Sequence, residues 1–119
     1  MFADQLTVTV NAVAKVLNRI NQDKYGSEYF LRESTQEFRL KIRNSSSKPA
    51  GSLQTIDRHN FELTNTVYAT STVPAIVRRA YSVYENSRSD TAADPLNVFV
   101  GFAGFNSSAN IQKALNYES

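Results

Sequence analysis

Arg39, Lys41 and Arg43 occupy every second position of residues 37–44, and Phe38, Leu40 and Ile42 fill the positions between them. A strand with this alternation holds the three cations in one row, about 7 Å apart. Such a row suits a polyanion. Phosphate neutralisation supplies most sequence-independent affinity for nucleic acid and makes it fall with salt. A second alternating run, residues 56–70, carries Arg58, Asn60, Glu62, Thr64 and Thr66 on one face and Phe61, Leu63, Val67 and Ala69 on the other. The Asn60 amide has both a donor and an acceptor and can read a base edge. If Thr35-Gln36 forms a two-residue turn, Arg32 lies across from Arg39 and extends the cationic row. Like charges in that arrangement repel unless an anion bridges them.

Other chemistries find little support. The chain has no cysteine and one histidine, which excludes disulfides, thiolate zinc sites, cysteine nucleophiles and a multi-histidine metal site within one chain. His59 and Asp57 supply types found in catalytic triads, but no nucleophile signature stands beside them. His59 has the parity of Phe61 and Leu63 and reads as a partly buried structural residue. Gly101 and Gly104 lack the lysine and the strand-loop-helix setting of a phosphate loop. Asn44-Ser45-Ser46 and Asn106-Ser107-Ser108 match the glycosylation sequon by chance if the protein is not exported. No catalytic residue, cofactor or metal is expected.

The elements that must position the cationic row follow from length and periodicity. At 119 residues the chain is expected to form one domain over residues 1–119. Apolar residues make up 41% and charged residues 20%, which fits a folded domain rather than a disordered one. No apolar run approaches the length of a membrane span. The first residues lack the order of a signal peptide, so a cytosolic protein is expected. The net charge is only +2, but residues 1–60 hold nine Lys/Arg against six Asp/Glu, while residues 61–119 hold four against five.

Residues 5–10 alternate as a strand, Asn11-Ala12 can turn, and residues 13–20 can return. Residues 28–34 and 37–44 are the next two strands. Residues 45–52 read as a mobile loop, and residues 56–70 as a long strand. Ser71-Thr72 with Pro74 resembles a helix start, and apolar spacing then predicts a helix over residues 73–87, with Tyr81 and Tyr84 expected to pack in the dimer. Asp94-Pro95 reads as a break, residues 96–105 stay undecided, and residues 109–117 read as a short helix behind an Asn106-Ser107-Ser108 cap. The fold class is α+β: an antiparallel sheet followed by two helices. Two short helices are a thin cover for the sheet's apolar face. An obligate dimer is therefore expected, each subunit's helices reaching over its partner's sheet.

This order of elements resembles the coat proteins of single-stranded RNA bacteriophages, the levivirus family. The resemblance rests on Glu62-Leu63-Thr64, on Tyr68-Ala69-Thr70-Ser71, on Phe2-Ala3-Asp4 through Thr7-Val8-Thr9-Val10, and on residues 21–29. It spans essentially the whole chain. It implies an intertwined dimer with edge-to-edge sheets. It also implies an icosahedral shell assembled in the bacterial host cytoplasm around genomic RNA, and a loop near residues 45–55 that changes shape about the symmetry axes. The sheet's inner face would contact RNA and, in some members, grip an operator hairpin and repress translation. Asn60 and Glu62 match RNA-face positions, and Lys41 matches a lysine that meets RNA. Arg39 and Arg43 flank it with identities that differ from the familiar ones. Arg58 stands where a member has a base-stacking tyrosine. Guanidinium also stacks, but the hairpin specificity need not carry over. The alternatives are a small dimeric RNA-binding regulator that forms no shell, and a small enzyme, for which no convergent polar pocket is apparent.

Overall fold

The computed structural model describes residues 1–119. Six strands form one antiparallel sheet in sequence order: β1 (Gln5–Val10), β2 (Val13–Gln22), β3 (Gly26–Arg32), β4 (Gln36–Ser47), β5 (Ile56–Val67) and β6 (Ile76–Ser87). Two helices follow, α1 (Ala93–Phe105) and α2 (Ser108–Leu115). No helix is long and apolar enough to cross a membrane.

β1 and β2 close through Asn11 and Ala12, both at positive φ (51° and 62°), with Val10 opposite Val13. This two-residue turn matches the right-handed twist of its strands. The register between β2 and β3 skips Ile20, a bulge that bends the strand. The sheet curls, so that β2 approaches β4 although β3 lies between them. Leu17, Tyr29, Phe38 and Ile42 are buried inside the curl, with Leu6, Val8, Leu31, Leu40 and Phe61 packed around them. Arg19 fastens the N-terminal segment across this core. It reaches Asp4 at 2.8 Å and the Tyr29 hydroxyl at 3.1 Å, and that hydroxyl donates to the Ala3 carbonyl at 2.7 Å. Gly26 opens β3 where any Cβ would meet the Ile42 carbonyl oxygen at 2.7 Å.

Four sequence expectations need correction. The helix expected over residues 73–87 is the strand β6, paired with β5 along its whole length. Its β-branched and aromatic residues favour a pleated surface. The cap-like residues before it serve a turn instead: Thr70 Oγ1 accepts from the amides of Thr72 and Val73. Asp94-Pro95 is not a break but the first turn of α1, where a proline costs no helical hydrogen bond. Thr91 anchors that turn, its hydroxyl donating to Asp94 Oδ2 at 2.9 Å. The turn between β3 and β4 centres on Ser34-Thr35, closed by the Glu33 amide on the Gln36 carbonyl at 2.8 Å. Arg32 therefore pairs with Glu37, and it is Phe30 that lies across from Arg39. A turn displaced by one residue moves the pairing by two and keeps the faces unchanged. Finally, Ser45, Ser46 and Ser47 pair with Arg58, Asp57 and Ile56, so the loop is confined to residues 48–55.

The helices are poorly covered. Neither has a buried residue, and Leu96, Val98, Val100, Phe102 and Phe105 are 53–67% exposed. An aromatic series runs from Phe2 through Phe61 and Tyr84 to Phe99, with ring centroids 6.2, 6.2 and 5.0 Å apart, and ties α1 to the sheet. Between the helices and the sheet lies an open groove of about 640 Å³ lined by Leu40, Phe61, Leu63, Ala80, Phe102 and Ile111.

Candidate nucleic-acid interface

The strand register gathers the sequence-predicted residues on one face. Arg39, Lys41 and Arg43 of β4 lie opposite Phe30, Glu28 and Gly26 of β3. On the other side they face Thr64, Glu62 and Asn60 of β5, and Arg58 lies beyond them opposite Ser45. β6 completes the face with Val77, Arg79, Tyr81, Val83 and Glu85 opposite Thr66, Thr64, Glu62, Asn60 and Arg58. All seven predicted residues share this face. Arg32 reaches it through Glu37 rather than through Arg39.

The face is less bare of counter-charge than the cationic row alone suggests. Carboxylates on neighbouring strands, on β4 itself and in the β2–β3 loop interleave with the cations. Arg39 pairs with Glu28 and, at 3.8 Å, with Glu37. Arg43 pairs with Asp23 at 2.9 Å, Arg58 with Glu85 at 3.9 Å, and Arg79 with Glu62 at 3.1 Å. The repulsion expected within the row is thus offset inside the protein. Six cations (Arg32, Arg39, Lys41, Arg43, Arg58, Arg79) face five carboxylates (Glu28, Glu37, Glu62, Glu85 and, from the β2–β3 loop, Asp23). The exposed pairs, Arg43–Asp23 and Arg58–Glu85, are each worth about 0–1 kcal/mol, so a phosphate can displace the carboxylate there at little cost.

Two predicted cations have no ion pair. Lys41 is flanked in register by Glu28 and Glu62 but contacts neither, and Arg32 contacts no carboxylate. The guanidinium of Arg32 lies 5.5 Å and that of Arg39 4.9 Å from the Phe30 ring centroid, so the aromatic ring holds both. Asn60 Oδ1 is buried with no hydrogen-bond partner. The Asp23 carboxyl is held below its usual range, chiefly by the Tyr25 amide and then by Arg43.

Sequence reading missed Phe30, Arg79 and Tyr81. Tyr81 is 71% exposed at the sheet's edge strand, an unprotected aromatic surface beside Glu62. The signal was the alternation Val77, Arg79, Tyr81, Val83, Glu85, hidden while residues 73–87 were read as helix. Tyr84 does pack, against Phe61 and Phe99.

On the opposite face an open cavity of about 550 Å³ is lined by Tyr25, Asn44, Ser45, Ser46, Asp57, His59 and Arg88. Asp57 is bound by Arg88 at 2.7 Å, which depresses its pKa, and His59 lies on the opposite face of the sheet from the cationic row. No group of three or more His, Asp or Glu side chains converges as a metal site would require. Compared with models of protein families, residues 3–87 match the family described as phage phiCb5, coat protein. No curated protein matches the chain.

Proposed function

The chain belongs to the phage phiCb5 coat protein family, and on that premise we propose that it is the coat protein of a single-stranded RNA phage, whose sheet binds RNA on its polar face. Membership makes it a capsid component and points to a structural role in the virion. The observation that carries the RNA reading is the gathering of six cations, two of them without an ion pair, on one strand-built face, with Tyr81 and Asn60 among them. Phosphates pair with Arg32, Lys41 and the exchangeable guanidinium groups, and bases stack on Tyr81. Repeated over a shell, a modest charge per chain becomes a large cationic interior. Translational repression through an RNA hairpin is the use of this same face at a single site.

The assembling unit in this reading is a two-fold dimer. β6 pairs with β5 on one side only, leaving its other edge open. Open edges of this length invite another strand. Pairing β6 with its copy about an axis normal to the sheet joins the two sheets and keeps both polar faces on one side. The helices then cross to the partner, where the groove between helices and sheet receives them. An α1 that is apolar on nearly all sides demands such cover. Phe102→Asp tests this: it places a charge on a residue already 53% exposed in the single chain, so the monomer keeps its fold. Sedimentation velocity is expected to show monomers in place of dimers or particles. A dimer of unchanged affinity would refute the arrangement. A dimeric regulator without a shell would show the same dimer and RNA binding but no particles.

A further inference from the structure

If β6 pairs with its copy, as proposed above and as everything in this subsection requires, its residues favour one register. The Arg88 amide donates to the Thr55 carbonyl at 2.9 Å. Antiparallel alternation then gives β5 the backbone groups of the even residues of β6 and turns those of Val77, Arg79, Tyr81, Val83, Glu85 and Ser87 to the open edge. Directly opposite residues of paired strands share a face. A two-fold axis normal to the sheet must therefore set some residue of β6 directly against its own copy. Two registers overlap the strand with its copy almost completely, with Tyr81 or with Ser82 at the axis. With Tyr81 there, Arg79 lies opposite the partner's Val83 and Glu85 opposite the partner's Val77, so neither charge meets another. With Ser82 there, Arg79 lies opposite the partner's Glu85, twice by symmetry, and Ala80 lies opposite the partner's Tyr84, small against large.

We propose that β6 joins a second copy of this chain with Ser82 against the partner's Ser82, and that contacts between Arg79 and the partner's Glu85 select this register. Within the chain Arg79 already pairs with Glu62 at 3.1 Å and Glu85 with Arg58 at 3.9 Å. The seam therefore completes a row of alternating charge on each side of the axis: Glu62, Arg79, the partner's Glu85, the partner's Arg58. Moving the axis by one residue shifts the pairing by two and breaks both rows. With Val83 at the axis it also sets Arg78 against the partner's Arg88, a like-charge pair that opposes the slip. Because the backbone groups of Ser82 are turned to β5, the two Ser82 residues form a non-hydrogen-bonded pair, with Cα atoms about 4.5 Å apart. That separation is one a disulfide can span.

The chain has no cysteine, so single cysteines at residues 80–84 report the register. After mild oxidation of the full chain, Ser82→Cys is expected to give the strongest covalent dimer on a non-reducing gel. Tyr81→Cys and Val83→Cys stand two residues out of line with their copies and should give little. A maximum at another position would overturn the register. Sedimentation velocity of the unmodified chain separates this from the dimer itself: monomers there would overturn both, whereas dimers or particles with no cross-link at any of the five positions would overturn the β6 seam alone. A second arm tests the charges. Arg79→Glu and Glu85→Arg each set like charges together twice across the seam, so each should self-associate about tenfold more weakly than wild type. Mixed in equal amounts, the two variants complement each other and should recover the dimer. Each keeps its own within-chain repulsion in the mixture, so the recovery reports the seam. A mixture that associates no better than either variant alone would overturn the selection by charge.

Discussion

Arg32 and Lys41 are the two cations of the polar face whose removal leaves no carboxylate without its ion-pair partner. The double variant Arg32→Gln, Lys41→Gln should therefore separate RNA binding from folding. Each phosphate contact to a single strand contributes about 0.7 to the slope of log affinity against log salt, so two lost contacts flatten it by about 1.4. Referred to about 1 M salt, where this contribution vanishes, the deficit at about 0.1 M is about 25-fold, or about 2 kcal/mol. Stability should stay within about 0.5 kcal/mol, as for surface changes that orphan nothing. Arg39→Gln is the contrast. It removes one contact but strands Glu28, whose side chain is only 15% exposed, so it should lower the unfolding midpoint as well. The assay is fluorescence anisotropy of a labelled single-stranded RNA across a salt series, at protein concentrations below assembly, beside thermal melts of the same samples. A double variant with wild-type slope and an intact fold would refute the placement of RNA on this face. A double variant that loses binding only because it unfolds would refute the distinction between free and paired cations.

Other consequences are smaller in scope. Tyr81→Ala should weaken RNA binding by about 1–3 kcal/mol, the usual loss of one stacked base, while circular dichroism stays unchanged and Tyr81→Phe retains binding. Ala12→Gly should raise stability by about 1 kcal/mol in chemical denaturation, because alanine at φ 62° bears a left-handed penalty that glycine escapes. Asp57 and Asp23 have carboxyl pKa values depressed in the folded chain, by Arg88 in one case and chiefly by the Tyr25 amide in the other. Their contribution is present above the ordinary carboxylate pKa and is lost as pH falls through the depressed values. Stability should thus decline below about pH 4, and Asp57→Asn with Arg88→Gln should make acid melting curves shallower than wild type.

The strands β1, β4 and β5 were legible because one of their faces is apolar and the other polar, and Phe38, Leu40 and Ile42 against Arg39, Lys41 and Arg43 show why, whereas β2, with Lys15 and Arg19 on the core face, was legible only as the return from the Asn11-Ala12 turn. The same parity placed all seven candidate residues on a common face even where the turn between β3 and β4 was misplaced by a residue. β6 was not legible. As the open edge it carries apolar residues on both sides, with Val77 and Val83 on one and Ile76 and Ala80 on the other, so a period of two is blurred. Ile76, Val77, Ala80, Val83 and Tyr84 then imitate helical spacing. α1 was hidden for the opposite reason. It is apolar nearly all round and interrupted by Gly101 and Gly104, so no stripe marks it as helical, and its first turn begins with the Asp-Pro pair that also marks breaks. In the dimer proposed above both elements meet surfaces beyond the single chain, which a periodicity argument within that chain does not contain. The carboxylates that neutralise Arg39 and Arg79 come from neighbouring strands and became visible only with the register.

The central claim is that this chain builds a closed shell around RNA. The most direct measurement is electron microscopy of the protein expressed alone in bacteria, with the 260/280 nm absorbance ratio of the same size-exclusion fraction. The account predicts closed particles of uniform size whose absorbance is dominated by nucleic acid. Dimers that never close into particles across a range of salt and pH, or particles free of nucleic acid, would contradict it.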